Sequence, residues 1–365
     1  MSEYIFILLW IGACGLVSNT AHLKRYSIVY GVEKERYLLL FSIIIFAPVI
    51  IMAGNRDLAF VDTYAYVGHF AEMPSNIDSL PEYLSTQNKD TGFYLLSSLI
   101  KILITKDPRV YLWIIALFQG IVVIWFFRNF SDSYILAVFL FVASTDMVSW
   151  MFNGIRQFLA VVIILLATPY ILRKKYVIAI LFILFASTMH LSALLMIPVI
   201  FIVQGDAWNK RTIFFLGLVV LVFVFANQFT NFLNDSLSDT QYKNIINDSN
   251  EMNDNGTNVL RVMVYSIPAI FSFIYRGKIN QSGDRLVIIS ANMSIITAGL
   301  YIVSMVSSGI FIGRLPIYCS LYGYILLIWC INEMKINNKR FFLISMIILY
   351  LIFYYYQMSV TWAMF

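Results

Sequence analysis

A few polar side chains with chemical capacity sit in a chain that is otherwise strongly apolar. Arg156 and Gln157 open one apolar segment, in the run Asn153-Gly154-Ile155-Arg156-Gln157, and His190 lies late in the next. A guanidinium offers a rigid fork of donors that suits phosphate. Arg156 therefore reads as an anion clamp, with Asn153 and Gln157 supplying amide groups that a lipid-facing turn does not need. An arginine reaching from the apolar zone to lipid headgroups is the simpler alternative. A histidine exchanges a proton near neutral pH, so His190 is a candidate base, phosphate donor or structural hydrogen bonder. Among the carboxylates, Asp62 stands out because Thr63, Tyr64 and Tyr66 follow it at the start of an expected short helix. There it reads as a base, as an N-cap, or as both. Arg56 and Asp57 pair with each other or line one pocket. Arg314 lies in an apolar stretch between Ile312 and Pro316, with Tyr318 and Tyr322 behind it, and reads as an anion contact or an interfacial anchor. His22 and His69 read as surface residues.

These groups need a scaffold, and composition decides its class. Of the 365 residues, 60% are hydrophobic and 12% charged, and the mean hydropathy is +0.79. That balance describes an all-α polytopic membrane bundle, read as a single integral membrane domain over 1–365. The net charge of +5 follows from cytoplasmic Lys and Arg, so it does not point to nucleic acid. Cys14, Cys319 and Cys330 fall in apolar segments without a CxxC pair, which supports neither a disulfide framework nor a zinc site. The start of the chain lacks a basic stretch and carries Glu3, so it reads as a retained span. No HExxH, GxSxG, Walker or Rossmann signature is present, which disfavours zinc proteases, serine hydrolases and nucleotide-driven chemistry. No cofactor is implied. The outer acids permit a divalent metal without requiring one.

Charge sets the expected topology. Arg173, Lys174 and Lys175 join the two segments that carry Arg156 and His190, and such clusters mark the cytoplasmic side. Lys175 to His190 spans roughly 22 Å at the helical rise, most of an apolar core of about 30 Å. Arg156 and His190 are thus expected near the outer surface. Residues 55–108 form an expected acidic outer loop, with Val61–Met73 as an interfacial helix. Gly92–Ile104 is apolar but about half the length of a span, and is expected to dip into the outer interface. If it crossed, the later basic clusters would all face outward. The remaining segments give about twelve spans, 3–21, 36–54, 109–127, 134–150, 153–172, 176–189, 191–203, 211–229, 259–275, 286–307, 316–332 and 340–358. The pair 176–203 also reads as one broken helix. Residues 230–258 form a second polar outer loop.

The order Arg56…Asp62-Thr63…Tyr66, then Asn153-Gly154-Ile155-Arg156-Gln157…His190-Leu191-Ser192-Ala193, then Gly313-Arg314…Tyr318 resembles the EpsG-type branch of the Wzy polysaccharide polymerases. An acidic outer loop with interfacial helices, followed by a bundle, also resembles GT-C glycosyltransferases. Many of those place the catalytic carboxylate in the first outer loop, although here Thr63 stands where a second acid is common. The resemblance implies a membrane glycosyltransferase that joins oligosaccharide repeats carried on undecaprenyl diphosphate, at the outer face of a bacterial inner membrane, for O-antigen, capsule or related polymers. It also implies a chain-length regulator and a flippase as partners. In that reaction Asp62, His190 and Arg156 would be catalytic, and Arg56, Tyr66, Asn153, Gln157, Arg314 and Tyr318 would bind substrate.

Two other classes compete. A transporter or flippase would spread polar groups along a central path and often show a two-half repeat, whereas here the polar residues gather toward one face. A membrane acyltransferase would also use an Arg–His site, but needs a route for a cytoplasmic acyl donor.

Overall fold

A computed structural model of the chain describes residues 2–20, 23–29, 32–58, 61–229 and 256–362. The described residues are 79% helical and nearly all-α, and they form two compact units. The first comprises residues 1–194 and 331–365, the second 195–330.

The first unit begins with α1 (Ser2–Thr20), a hairpin of β1 (Lys24–Val29) and β2 (Val32–Tyr37), and α2 (Leu39–Asn55). Three short helices follow, α3 (Thr63–Glu72), α4 (Leu80–Ser85) and α5 (Thr91–Leu103), and then the long α6 (Pro108–Phe130). Next come α7 (Tyr134–Ala143), α8 (Asp146–Phe152), α9 (Ile155–Leu166), α10 (Thr168–Leu172) and α11 (Tyr176–Met189). The second unit holds α12 (Met196–Ile202), α13 (Lys210–Val224), α14 (Val259–Ile274), α15 (Arg276–Ser282), α16 (Arg285–Met305) and all but the end of α17 (Ile317–Asn332). The chain returns to the first unit with α18 (Ile336–Tyr356).

Membrane crossing is legible in part. Among the described residues three stretches, Pro108–Phe130, Arg285–Met305 and Asn338–Thr361, are long and apolar enough to span a bilayer. Counting each of two bent pairs as one span gives five, and seven further apolar helices are shorter. The expected segments are therefore helical, but many are interrupted. The 134–150 segment breaks between α7 and α8 with a 74° bend, where Thr145 adopts φ +67°. The 153–172 segment breaks before Pro169, whose ring nitrogen cannot donate to the helix ladder. The connection after α1 is an antiparallel hairpin pairing Lys24 with Tyr37, and Lys24 Nζ lies 3.0 Å from Glu35 Oε2. The charged residues of the two strands, KRYSIV and VEKERY, hid that pairing from a reading based on apolar periodicity. Most of the expected second outer loop, residues 230–255, and His22 lie outside the described residues.

Within the first unit, close helix packing builds the platform for the polar groups. A Cβ on Gly54 would lie 2.5 Å from the Trp113 ring, and one on Gly120 would lie 2.4 Å from Ile50. Glycine at these two places lets α2 and α6 approach closely, as small residues do between membrane helices. Trp113 Nε1 also donates to Asn55 Oδ1 (3.0 Å). Helix α9 joins α6 through Gln119 Nε2, which donates to the Ile155 carbonyl (3.3 Å). Above them, Phe70 of α3 stacks on Tyr111 of α6, with centroids 4.2 Å apart. Lys101 of α5 is buried and donates to the carbonyls of Ala71 and Met73. Those groups close the end of α3, where unpaired carbonyls attract cations.

In the second unit, buried Asn292 donates to the Val203 and Asp206 carbonyls (3.0 and 3.1 Å) and accepts from the Trp208 N–H. One amide thereby satisfies three backbone groups of the turn that leads into α13. Tyr265 stacks on Tyr301, with centroids 4.8 Å apart. The cysteines Cys14, Cys319 and Cys330 are buried and unbridged.

The single charge register that makes the later basic clusters cytoplasmic requires Lys106, exposed in the turn between α5 and α6, to face outward. A Lys106→Cys variant on a cysteine-free background is expected to react with an impermeant maleimide added outside. Labelling from the cytoplasmic side alone would overturn that register.

Candidate functional site

Three segment ends meet in the first unit, and each is irregular for a local reason. Helix α11 stops at His190, whose backbone is extended (φ −157°, ψ 119°), and a 3₁₀ turn over Leu191–Leu195 follows. The stop frees the Leu191 N–H, which an unbroken helix would direct to Ser187. Helix α9 starts after Gly154, so Arg156 falls in its first turn. Helix α5 starts after Asp90, which adopts the left-handed conformation (φ +52°) that Asp tolerates better than most residues.

Asp90 ties these ends together. Its Oδ2 accepts from Arg156 NH1 at 2.9 Å, and its Oδ1 accepts from the Leu191 N–H at 3.3 Å. The Asp90 side chain is 4% exposed and that of Arg156 26%. A carboxylate so enclosed requires partners for both oxygens, and here each oxygen has one. Burial raises the Asp90 carboxyl above the usual carboxylate range, against the opposing pull of Arg156, the Leu191 N–H and Lys89. The close approach depends on Gly92, because a Cβ there would lie 2.1 Å from Thr188 Oγ1 and 3.1 Å from its backbone.

Around this pair the other groups gather. The Arg156 guanidinium lies over the Tyr66 ring at 5.9 Å, a cation–π distance. His190 Nδ1 lies 2.7 Å from Ser192 Oγ, and Gln157 Nε2 donates to that hydroxyl over a long 3.5 Å. The Ser192 hydroxyl thus bridges the His190 ring and the Gln157 amide. The structure thus brings together Arg156, Gln157, His190 and Tyr66, and adds Asp90 and Ser192.

The remaining candidates are placed differently. Asp62 occupies the N-cap position of α3 but its side chain makes no cap hydrogen bond, and the residue is exposed. It stands one helical turn before Tyr66, hence near the face that Arg156 covers. Arg56 is 7% exposed and donates through Nε to Thr63 Oγ1 (3.0 Å) and through NH1 to the Ala53 carbonyl (2.9 Å). Asn153 is buried and lines a small cavity with Tyr4, Ser149 and Tyr354. Arg314 and Tyr318 belong to the second unit, in a 3₁₀ turn (Ile312–Arg314) and at the start of α17. His69 faces Glu72 on an exposed surface (3.9 Å). Among the described residues no cluster of three His, Cys, Asp or Glu converges to hold a metal.

Asp90 is the residue that sequence reasoning passed over, counting it only as one of several loop acids. One signal pointed to it: an acid followed by Thr91-Gly92 at the lip of an apolar segment, where charge is costly unless partnered.

If Gly92 and Thr188 set this geometry, Gly92→Ala is expected to destabilise the protein by about 1–3 kcal/mol, the usual cost of overpacking. Adding Thr188→Gly should recover part of the loss. Thermal unfolding in detergent checks both, and an unaltered Gly92→Ala melting point would refute the close packing. Asp90→Ala should cost about 1–3 kcal/mol, below the usual penalty for breaking a buried pair because Arg156 is partly exposed.

The chain was compared with known families, curated proteins and solved structures. No curated protein and no solved structure matches it. The model of the EpsG family matches residues 39–363, a range that takes in Arg56, Asp62, Asp90, Arg156, His190 and Arg314. Membership suggests a polysaccharide polymerase-type, glycosyltransferase-like function in a multi-pass membrane protein. Covering nearly the whole length, that match shows that the chain belongs to the EpsG family.

Proposed function

We infer that this protein is a polysaccharide polymerase that moves a glycan from undecaprenyl diphosphate to a lipid-linked repeat unit, at the outer face of a bacterial inner membrane. The observation that carries this reading is the buried Asp90 carboxylate, which holds the Arg156 guanidinium beside His190 and Tyr66. A diphosphate leaving group gains negative charge as the glycosidic C–O bond breaks. A guanidinium fixed in advance stabilises that charge without reorganising during the reaction.

The residues divide the work as follows. The acceptor hydroxyl oxygen attacks the anomeric carbon, and the bond from that carbon to the phosphate oxygen breaks with its electron pair going to the diphosphate. The hydroxyl proton passes to Asp62, which stands in the open at the start of α3. Arg156 and His190 contact the leaving group. Asp90 is a positioning residue, since its two oxygens are occupied by Arg156 and Leu191. Tyr66 offers a ring face to sugar or guanidinium. Placing the base apart from the leaving-group contacts suits an inverting displacement, in which the nucleophile enters opposite the departing diphosphate.

Purified protein in vesicles is expected to lengthen undecaprenyl-diphosphate-linked repeats with no nucleotide sugar or acyl donor added. Failure to form a ladder, or a requirement for an acyl donor, would defeat the reading. Arg156→Lys should lose about 10²–10³ in rate at normal protein levels, the usual cost of one transition-state contact, because a point charge cannot replace the fork. Asp62→Asn should abolish polymer while donor binding survives, and His190→Gln should weaken both and retain some turnover. The reverse pattern would transfer the base role to His190.

The Asp90 shift also has a sign. The native chain holds the Asp90 proton more tightly than the unfolded chain does. This contribution to stability is therefore complete below the ordinary carboxylate range and lost as pH rises through the raised value. Activity runs the opposite way, because the ion pair that aims Arg156 needs an ionised carboxylate. Polymerisation should fall as pH drops through a point above the ordinary carboxylate range. The pH–rate profile of Asp90→Asn should be lower and lack that limb.

A further inference from the structure

A second cationic group in the first unit is not used by the chemistry above. Arg56 is 7% exposed; its Nε and NH1 are engaged by Thr63 and Ala53, while its NH2 is buried without a hydrogen-bond partner. Arg56 lines a cleft of about 1270 Å³. The walls are apolar side chains of α1 and α2, among them Phe6, Trp10, Ala47 and Ile51, and Arg109 joins Arg56 among the lining residues. Arg109 donates to the Arg56 carbonyl, so the two guanidinium-bearing residues are tied together. Two acids, Glu3 and Asp57, also line the cleft, but both are exposed. The buried charge at the cleft is therefore positive. A buried guanidinium nitrogen with no acceptor is costly, and an anionic group in the cleft would relieve it.

The cleft also has a fixed relation to the Arg156 cluster, through α3. Arg56 binds Thr63 and Arg156 covers Tyr66, and these two α3 residues are three apart, hence on one face. Tyr111 lies within electrostatic reach of both Arg56 and Arg156. The exposed Asp62 carboxylate stands at the start of that same helix.

We propose that the α1–α2 cleft binds the acceptor's polyprenyl carrier, with the phosphate on Arg56 and Arg109 and the hydrocarbon chain along Trp10, Ala47 and Ile51. The proposal rests on the polymerase reading for the identity of the lipid. The groove supplies the reason for a phosphate-headed lipid as such: an apolar channel with a buried, unsatisfied cation. In this arrangement one face of α3 meets two anion sites, donor diphosphate on Arg156 and acceptor carrier on Arg56, with the Asp62 base at the start of the helix.

The test is binding, so it stands apart from polymer formation. Full-length protein in nanodiscs is titrated with undecaprenyl phosphate and, separately, with phosphatidylglycerol, and bound lipid is read by native mass spectrometry. Wild type is expected to bind undecaprenyl phosphate and to prefer it to phosphatidylglycerol at least tenfold. Arg56→Gln should lose at least tenfold in affinity. Because Arg56 also supports Ala53 and Thr63, Ala47→Trp serves as a second variant that fills the cleft and leaves Arg56 intact, and it should lose at least tenfold in undecaprenyl phosphate affinity by native mass spectrometry. Equal binding of phosphatidylglycerol would mean a bilayer lipid occupies the cleft, which overturns the assignment. Unchanged undecaprenyl phosphate binding in Ala47→Trp overturns it as well. Selective binding that both variants abolish would stand even if the protein formed no polymer.

Discussion

Burying a carboxylate is tolerable only if its oxygens are met, and the Asp90 site is built around that requirement. One oxygen meets a guanidinium 66 residues away and the other a backbone N–H 101 residues away. Each partner is available because a helix is irregular at that point. Leu191 has a free N–H because α11 ends at His190, and Arg156 lies in the first turn of α9 because the helix begins only after Gly154. Asp90 itself reaches both by adopting a left-handed backbone. Close contact between α5 and α11 at Gly92 and Thr188 brings the three ends within bonding distance. The breaks in the apolar segments are thus part of how this membrane protein makes a polar site, since only interrupted helices expose backbone donors at their ends.

Helix α3 carries a different burden. It is short, and three anchors hold it: Thr63 to Arg56, Phe70 stacked on Tyr111, and Lys101 on the carbonyls at its end. Its exposed side chains, Asp62 and Tyr64, are therefore presented on a fixed element rather than a loose loop. Proximity is worth most in catalysis when it is settled beforehand, and a rigid short helix between two arginines supplies that.

Membership of the EpsG family gives the general activity, a polysaccharide polymerase-type function. The chemistry of such a reaction explains why the polar residues are few. On the reading proposed above, a lipid diphosphate would bring its own leaving group, so no nucleotide cradle would be needed. What remains for the protein is to hold charge, to accept one proton and to align two large substrates, work for arginines, a carboxylate and a histidine set in an apolar body.

How much of this was legible in the sequence follows from the range of each interaction. Composition dictated a helical membrane protein, because 60% hydrophobic residues cannot be hidden any other way. The covalent link through Arg173–Lys175 put Arg156 and His190 at the same ends of neighbouring helices, and the Gln157–Ser192–His190 contacts follow from that short connection. Apolar periodicity located most segments and the break at His190, but not the one at Thr145, where the chain leaves helical geometry inside a continuous apolar run. The partners of Asp90 were beyond reach, because its place at the lip of an apolar segment calls for a partner without saying which one. Its role depends on a missing Cβ at Gly92 and on two helix ends far along the chain. Arg56 is the same case: the sequence showed a loop arginine, and only packing of α1, α2 and α3 buried it with one nitrogen unsatisfied. Local chemistry is written in residue types, whereas the pairing of buried charges is decided by which backbones can approach, and that is a property of the assembled structure.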